Sequence, residues 1–346
     1  MVKIIDMDAE SAVKKKLGLL PVVKNIVFTD RTKDSILADV YTDKRIPVQI
    51  ISFDRAFPGV IEQKLKRQGK DAELRYRIIT APYVSKLSAD VCKKNGVGYV
   101  DYSGNCLISF DSIYISDIGH ENLFPKKDKI SRNLFKTSSH VTSSIIKVIL
   151  KDLSISWKLQ KLSEEVGCSI GMVAKVKEYL CNQGWAEMGK AGLRITNPAG
   201  ILEAWSESYN IDKENMINAY TLLSVPEFEK AFGKTITDKS YTGCLTGFSG
   251  GARYAPVVRY TKVHIWLSQK DIAGFMEDMQ IKQVDSGANI SIYIAEEDDV
   301  FIDRREINGD IVASPVQAYL DLMQLKGRGE EMAEIILSKE ILNDKG

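Results

Sequence analysis

The residues whose types and spacing best suit a definite chemistry lie at positions 158–183, KLQKLSEEVGCSIGMVAKVKEYLCNQ, and that chemistry is recognition of a polyanion. Leu159, Leu162 and Val166 recur three and four apart, the spacing of one helix face. Gly167 ends that helix, because glycine adopts positive φ at little cost. Ser169 stands where an N-cap is wanted. Ile170, Val173, Val176 and Leu180 then give a second helix one apolar face. Two short amphipathic helices joined by a tight glycine turn form a helix-turn-helix. Its second helix can enter a major groove, where base edges are distinguishable. On a wheel of roughly 100° per residue, Gly171, Lys175 and Glu178 point away from the apolar face. Met172 lies beside them and Lys177 on the flank. Gly171 permits close approach, and Lys175 reaches a phosphate or a guanine edge.

Other elements must hold that helix in place. Residues 143–153, SSIIKVILKDL, read as a supporting helix. Residues 185–200, WAEMGKAGLRITNPAG, hold two short β-prone pieces around Gly189-Lys190-Ala191-Gly192. They read as a wing with Lys190 at its tip and Arg194 on its return strand. The candidate DNA contacts are therefore Ser169, Gly171, Met172, Lys175, Lys177, Lys190 and Arg194. The alternative is a packing or protein-interaction module that touches no nucleic acid.

Two further motifs bear on catalysis. Gly247-Phe248-Ser249-Gly250-Gly251 has the form of a nucleophile elbow, which needs a strand-turn-helix context with acid and histidine partners downstream. The only later histidine is His264, close by on a β-prone strand. A Gly/Ser loop before a strand also suits a nucleotidyltransferase, but that chemistry needs paired carboxylates for two metal ions. The strand at 262–267, KVHIWL, carries no acid. His264 has no Cys/His/Asp cluster in the sequence around it and reads as a packed or surface residue. Further upstream, Asp39 closes the run ILADV, and the next run, IPVQIIS, offers Gln49 where a metal nuclease needs a carboxylate and a lysine. Asp39 reads as a strand-end carboxylate, and Asp101, Gly104 and Asn105 as a turn. Lys64, Lys66, Arg67 and Lys70 make a basic helix surface, either a solvated face or a supplementary phosphate contact. No catalytic residue, metal ligand or cofactor is expected.

At 346 residues the chain exceeds one ordinary core, and 44% hydrophobic with 27% charged residues is ordinary for a globular protein. The order of β-rich and helical runs gives an α/β and α+β multidomain protein. Residues 1–130 are expected to form a mixed α/β domain, with helices at 1–18, 56–70 and 85–94. Residues 117–136 read as a linker with the charged run Lys126-Lys127-Asp128-Lys129. Residues 136–205 hold the winged helix-turn-helix, and 206–346 a second α/β domain ending in a helix from Pro315 capped by Ser314 and another after Gly327-Arg328-Gly329. Residues 1–135 carry 23 basic against 17 acidic residues, 136–205 nine against six, and 206–346 fifteen against 23. The first two segments suit a polyanion, and the last a protein partner. Five widely spaced cysteines with no CxxC pair argue against a disulfide framework and for a reducing cytoplasm. No apolar run approaches the roughly 20 residues of a membrane span, and no signal peptide is expected.

The N-terminal run, from ILADV and IPVQIIS through APYVSKLSADVCKKNGVGYVDYSGN, resembles the restriction-endonuclease-like fold, without its catalytic residues. The C-terminal string SPVQAYLDL…GRGEEMAE contains Pro315, Gln317, Tyr319, Leu320, Asp321, Gly327, Arg328, Gly329, Glu330 and Glu331. With TGFSGGARYAP and GANISIYIAEEDDVFI, it resembles the AbiEi family, the antitoxin and repressor halves of type IV toxin–antitoxin pairs. That resemblance implies a nucleotidyltransferase-like or AbiEi C-terminal domain, a double-stranded operator bound at the chain's own promoter, and a nucleotidyltransferase toxin as partner. A homodimer would suit a palindromic operator. The N-terminal domain is additional to the smallest members of that family.

Overall fold

The computed structural model describes residues 9–32, 35–67, 75–125, 134–135 and 139–342, apart from the Lys213 side chain. The first eight residues of the expected N-terminal helix, Lys70 and the charged run 126–129 lie outside the described residues. The chain divides into two compact units, Met1–Ser131 with Cys181–Gly184, and Arg132–Leu180 with Trp185–Gly346.

The first unit is a seven-stranded sheet with helices on both faces. Its elements run α1 (Ala9–Leu17), β1 (Asn25–Arg31), β2 (Ser35–Tyr41), β3 (Arg45–Ser52), α2 (Pro58–Arg67), β4 (Tyr76–Ala81), α3 (Lys86–Lys94), β5 (Gly98–Asp101), β6 (Cys106–Phe110) and β7 (Ile113–Asp117). The strands lie in chain order. β3, β4 and β5 are parallel, and the remaining neighbours are antiparallel. Parallel neighbours need a crossover, and α2 and α3 supply the two crossovers here. Alternation along the strands sorts the two cores. Ile36, Ala38, Val40, Val48 and Ile50 pack under Ala12, Val13 and Leu17 of α1. Ile51, Ile79 and Ala81 face Ile61 and Leu65 of α2 and Cys92 of α3.

The second unit opens with α4 (His140–Lys151), α5 (Leu159–Val166), α6 (Ile170–Gln183), the hairpin β8 (Ala186–Met188) and β9 (Leu193–Ile195), and α7 (Pro198–Ser206). α4 begins three residues before the expected helix, because Ser139 caps it by accepting from the Thr142 N–H. It continues with β10 (Met216–Tyr220), α8 (Val225–Lys239), β11 (Gly243–Leu245), α9 (Gly247–Tyr254), β12 (Val263–Ser268), α10 (Ile272–Asp278), β13 (Lys282–Gln283), β14 (Ile290–Ala295), β15 (Arg305–Ile307), β16 (Asp310–Val312), α11 (Pro315–Met323) and α12 (Arg328–Ile336). The sheet order is β13-β10-β14-β12-β11-β16-β15, with β12–β14 and β11–β16 parallel. One face buries Phe228, Phe232 and Phe275 of α8 and α10 against Ile265, Leu267, Ile290 and Ile292. The other carries Cys244, Trp266, Tyr293 and Ala313. The expected α11 is present with its Ser314 cap, and residues 315–322 are all buried.

A helix buried on every side must satisfy its polar groups internally. Asp321 of α11 does so with four donors. Its Oδ1 accepts from Tyr209 Oη at 2.7 Å and Gln317 Nε2 at 2.8 Å. Its Oδ2 accepts from Trp266 Nε1 at 2.7 Å and from the Thr246 hydroxyl. Burial pushes the Asp321 carboxyl pKa up, and the four donors oppose that shift. Asp321→Ala would leave these donors without their acceptor in a dry site, at a cost of at least about 3 kcal/mol. Urea unfolding of the two proteins measures it, and Asp321→Asn, which keeps one acceptor, should fall between them.

Candidate nucleic-acid interface

The second unit's helical part is built around a short turn and a close backbone crossing. α5 ends at Gly167, in the left-handed region at φ 70° and ψ 34°. The Cys168 N–H donates back to the Ser163 carbonyl at 3.0 Å, closing the helix end. α6 follows at once, and Ser169 Oγ accepts from the Met172 N–H at 3.4 Å. Just before α5, Trp157 bridges Leu193 of β9 antiparallel. Their paired N–H···O bonds are 2.9 and 2.8 Å. Gly192 makes that crossing possible, since a Cβ there would lie 2.5 Å from the Trp157 carbonyl oxygen. The core is Ile145, Ile146, Ile149, Leu162, Val173, Val176, Leu180 and Leu193, all buried. Phe135 stacks on Trp205 at 5.7 Å and completes it.

The candidate contacts fall in two sets. On α6, Gly171 and Lys175 are exposed, as is Ser169 just before it, while Met172 and Lys177 are half-buried. Lys175 Nζ lies 3.9 Å from Met172 Sδ, so the two side chains share one surface. Ile170 departs from expectation: it is 49% exposed and lies outside the apolar face. As the first residue of α6 it precedes Val173, where the buried face of the helix begins. On the hairpin, Lys190 is exposed in the loop closed by Gly189 and Gly192. Arg194 is exposed but pairs with Glu187, directly opposite across the ladder. Sequence reasoning passed over Lys158 and Lys161, both exposed. Lys158 Nζ donates to the Lys190 carbonyl and so adds a cation beside the hairpin loop. Lys161, between Leu159 and Leu162, belongs to the polar face of α5, and Lys158 immediately precedes that helix. It also passed over α7, signalled by Asn197 as cap and Pro198 in the first turn.

The remaining candidates are held in other arrangements. Asp39 is buried and pairs with Arg45 Nε at 3.0 Å. Across the β2–β3 register Asp39 stands opposite Pro47, and Gln49 stands opposite Leu37. Gln49 Nε2 donates to Ser35 Oγ at 3.0 Å. Asp101 accepts from the N–H groups of Val84, Gly104 and Asn105, which is turn chemistry. Ser249 does follow a strand and sit in a helix, yet it is fully buried, and its Oγ accepts from the His264 backbone N–H at 3.2 Å. The His264 ring lies 6.1 Å from Tyr293, stacked, with Phe248 edge-on. Among the described residues no group of three or more His, Cys, Asp or Glu is placed to hold a metal ion. The five cysteines are free thiols. No helix among the described residues is long and apolar enough to cross a membrane.

The geometry defines a class: a three-helix and hairpin module joined to a large mixed sheet. Residues 194–342 match the family model of AbiEi antitoxins, transcriptional regulators of type IV toxin–antitoxin systems. The match begins on β9 and includes Asp321 with all four of its partners, while α4, α5, α6 and β8 precede it. Neither the curated proteins nor the solved structures gave a match.

His264 gives a pH test of this packing. Burial pushes its pKa down from 6.5 to about 4. The folded state therefore resists protonation. The associated stability is complete above pH 6.5 and is lost as pH falls from there to about 4. The expected loss is roughly 3 kcal/mol. Denaturant unfolding across that range should show a shallower fall for His264→Phe than for the parent.

Proposed function

We propose that the chain is a DNA-binding transcriptional regulator, the autorepressor and antitoxin of a type IV toxin–antitoxin pair. The observation that carries the reading is the exposed Gly171–Lys175 surface of α6, standing just ahead of a segment with the AbiEi antitoxin match. α4, the Trp157 bridge, α5, α6 and the β8–β9 hairpin follow the chain order of a winged helix-turn-helix, with α6 as the reading helix. Lys175 supplies a phosphate or guanine contact, and Gly171 lets the helix sit deep in the groove. Ser169, Met172, Lys177, Lys190 and Arg194 complete the contact set, and Lys158 joins it beside the wing loop.

On this reading the first unit is a restriction-endonuclease-like domain without nuclease chemistry, and the protein is not an enzyme. Its partners are a double-stranded operator, a nucleotidyltransferase toxin and, for a palindromic site, a second copy of itself, in a reducing cytoplasm. One observation favours a protein-interaction module instead: the Glu187–Arg194 pair neutralises a wing cation.

A gel shift on the chain's own promoter separates these readings. Lys175→Glu with Lys190→Glu should abolish the shift; an unchanged shift rules out this docking. The parent's affinity should fall steeply with salt, by about one unit of log–log slope per phosphate contact, and the absence of any salt-dependent binding favours the protein-interaction reading. Glu187→Gln frees Arg194 and removes a repelling acid. It should tighten the complex by a few fold, up to about fivefold, since exposed pairs contribute up to about 1 kcal/mol.

A further inference from the structure

We propose that the edge strand β7 is a self-pairing surface: a second copy of the chain adds its own β7 antiparallel, joining two first units into one continuous sheet. The sheet has two edges, β1 and β7. An edge presents unpaired N–H and C=O groups, and soluble proteins blunt it with charge or a bulge. β1 has both: its register slips between Phe28 and Asp30, and it ends in Asp30 and Arg31. β7, IYISD, pairs without a slip and carries one charge. That charge, Asp117, is turned to the α1 face, where Lys16 and His120 engage it.

Pairing with β6 fixes which backbone groups are free. The turn Asp111–Ser112 makes Phe110 and Ile113 the closing pair, so Ile113, Ile115 and Asp117 bond inward to β6. Ser109 fits this alternation, because its N–H points away from β7 and donates to Tyr76 Oη at 3.1 Å. The N–H and C=O of Tyr114 and Ser116 therefore point off the sheet, and among the described residues nothing engages them. Both residues are exposed, Tyr114 by 68%.

The side chains select a second copy over an arbitrary strand. Two-fold pairing centred on Ile115 sets Tyr114 against the partner's Ser116, and Ser116 against the partner's Tyr114, each pair exchanging both backbone bonds. On the α3 face each tyrosine then lies between two serines, Ser109 of its own β6 and the partner's Ser116. Those serines leave it room: Leu107, Ser109, Tyr114 and Ser116 line an open cleft of about 950 Å³ beside α3. On the α1 face Ile115 is half-buried beside Ile108 and meets the partner's Ile115 on its free side. Asp117 falls opposite the partner's Ile113, so no charge opposes its like. Parallel pairing in register would instead set Asp117 against the partner's Asp117. An edge of five residues buries less than the ~800 Å² per partner of a standard interface, so the dimer is weak and concentration-dependent. The interface lies in the first unit and stands whether or not the module reads DNA.

Sedimentation of the full chain without DNA, across a concentration series, tests this. The parent should pass reversibly from monomer to dimer with a micromolar dissociation constant. Amide exchange at Tyr114 and Ser116 should slow over the same range, a readout that needs no variant. Tyr114→Lys with Ser116→Lys opposes like charges across the new ladder and should weaken the dimer by at least about tenfold. Tyr114→Glu with Ser116→Glu should do the same. Mixed, the two double variants should associate again, since each lysine then faces a glutamate. These side chains are exposed, so each double variant should unfold at the temperature of the parent monomer. A parent that stays monomeric into the millimolar range, a dimer whose Tyr114 and Ser116 amides exchange as fast as the monomer's, an undiminished dimer in the lysine variant, or a mixture that fails to associate would each overturn the proposal.

Discussion

The buried carboxylate of Asp321 is the constraint on which the second unit depends. Its four donors come from the segment after α7, the residue after β11, the strand β12 and α11 itself. These elements are far apart in sequence, and one acceptor pair fixes them together. α11 can be buried on every side because its only acid is fully answered. Such a network is weak evidence for stability, since an apolar replacement of equal shape often serves as well. Its effect is to tie Tyr209, Thr246 and Trp266 to α11 through the two oxygens of one carboxylate. Tyr209 is the consequential member, because it lies where the chain leaves the helical module for the sheet.

A second polar tie reinforces that junction. Lys147 is buried on α4 and reaches Asp299, in the turn after β14. Burial pushes its ammonium pKa down, against the nearby carboxylates of Asp299 and Asp321. Lys151 adds a more exposed pair with Asp303 at 3.5 Å. The supporting helix of the module is thus pinned by charge to the acidic segment of the chain. That arrangement places carboxylates behind α4, while α6 presents Lys175 outward. Basic side chains of α6 and acidic loops of the sheet thus sit on separate elements of one unit, a charge separation that under the proposed function would orient an approaching duplex.

How far the sequence could be read depended on the range of the interactions involved. The turn at Gly167, the Ser314 cap and the helix after Gly327 are local chemistry, and each lies where its residues indicate. The alternation in ILADV and IPVQIIS likewise located β2 and β3. Long-range pairing was not legible. Lys147 read as one more charge on a supporting helix, because nothing near it announces Asp299, 152 residues away. Asp321 read as part of a family string, while its role as a node depends on residues up to 112 positions distant. Ile170 shows the opposite failure: periodicity placed it inside, but it precedes Val173, where the buried face of α6 begins.

In the first unit the two faces of β2 and β3 differ in chemistry. On β2 and β3 the residues of the α1 face, Ala38, Val40, Val48 and Ile50, are uniformly apolar. Asp39 and Gln49 point the other way, by the two-residue period of the strand. Asp39 is buried there beside the Arg45 guanidinium, and Gln49 answers Ser35. A hard cation on that face would need Arg45 displaced and Gln49 replaced by an acid, for a cation fixed at 3.0 Å already does for Asp39 what a metal would do. Removing Arg45 alone would leave a buried charge without its partner, which costs more than the pair contributes. On this face the Asp39 carboxylate is thus answered by Arg45.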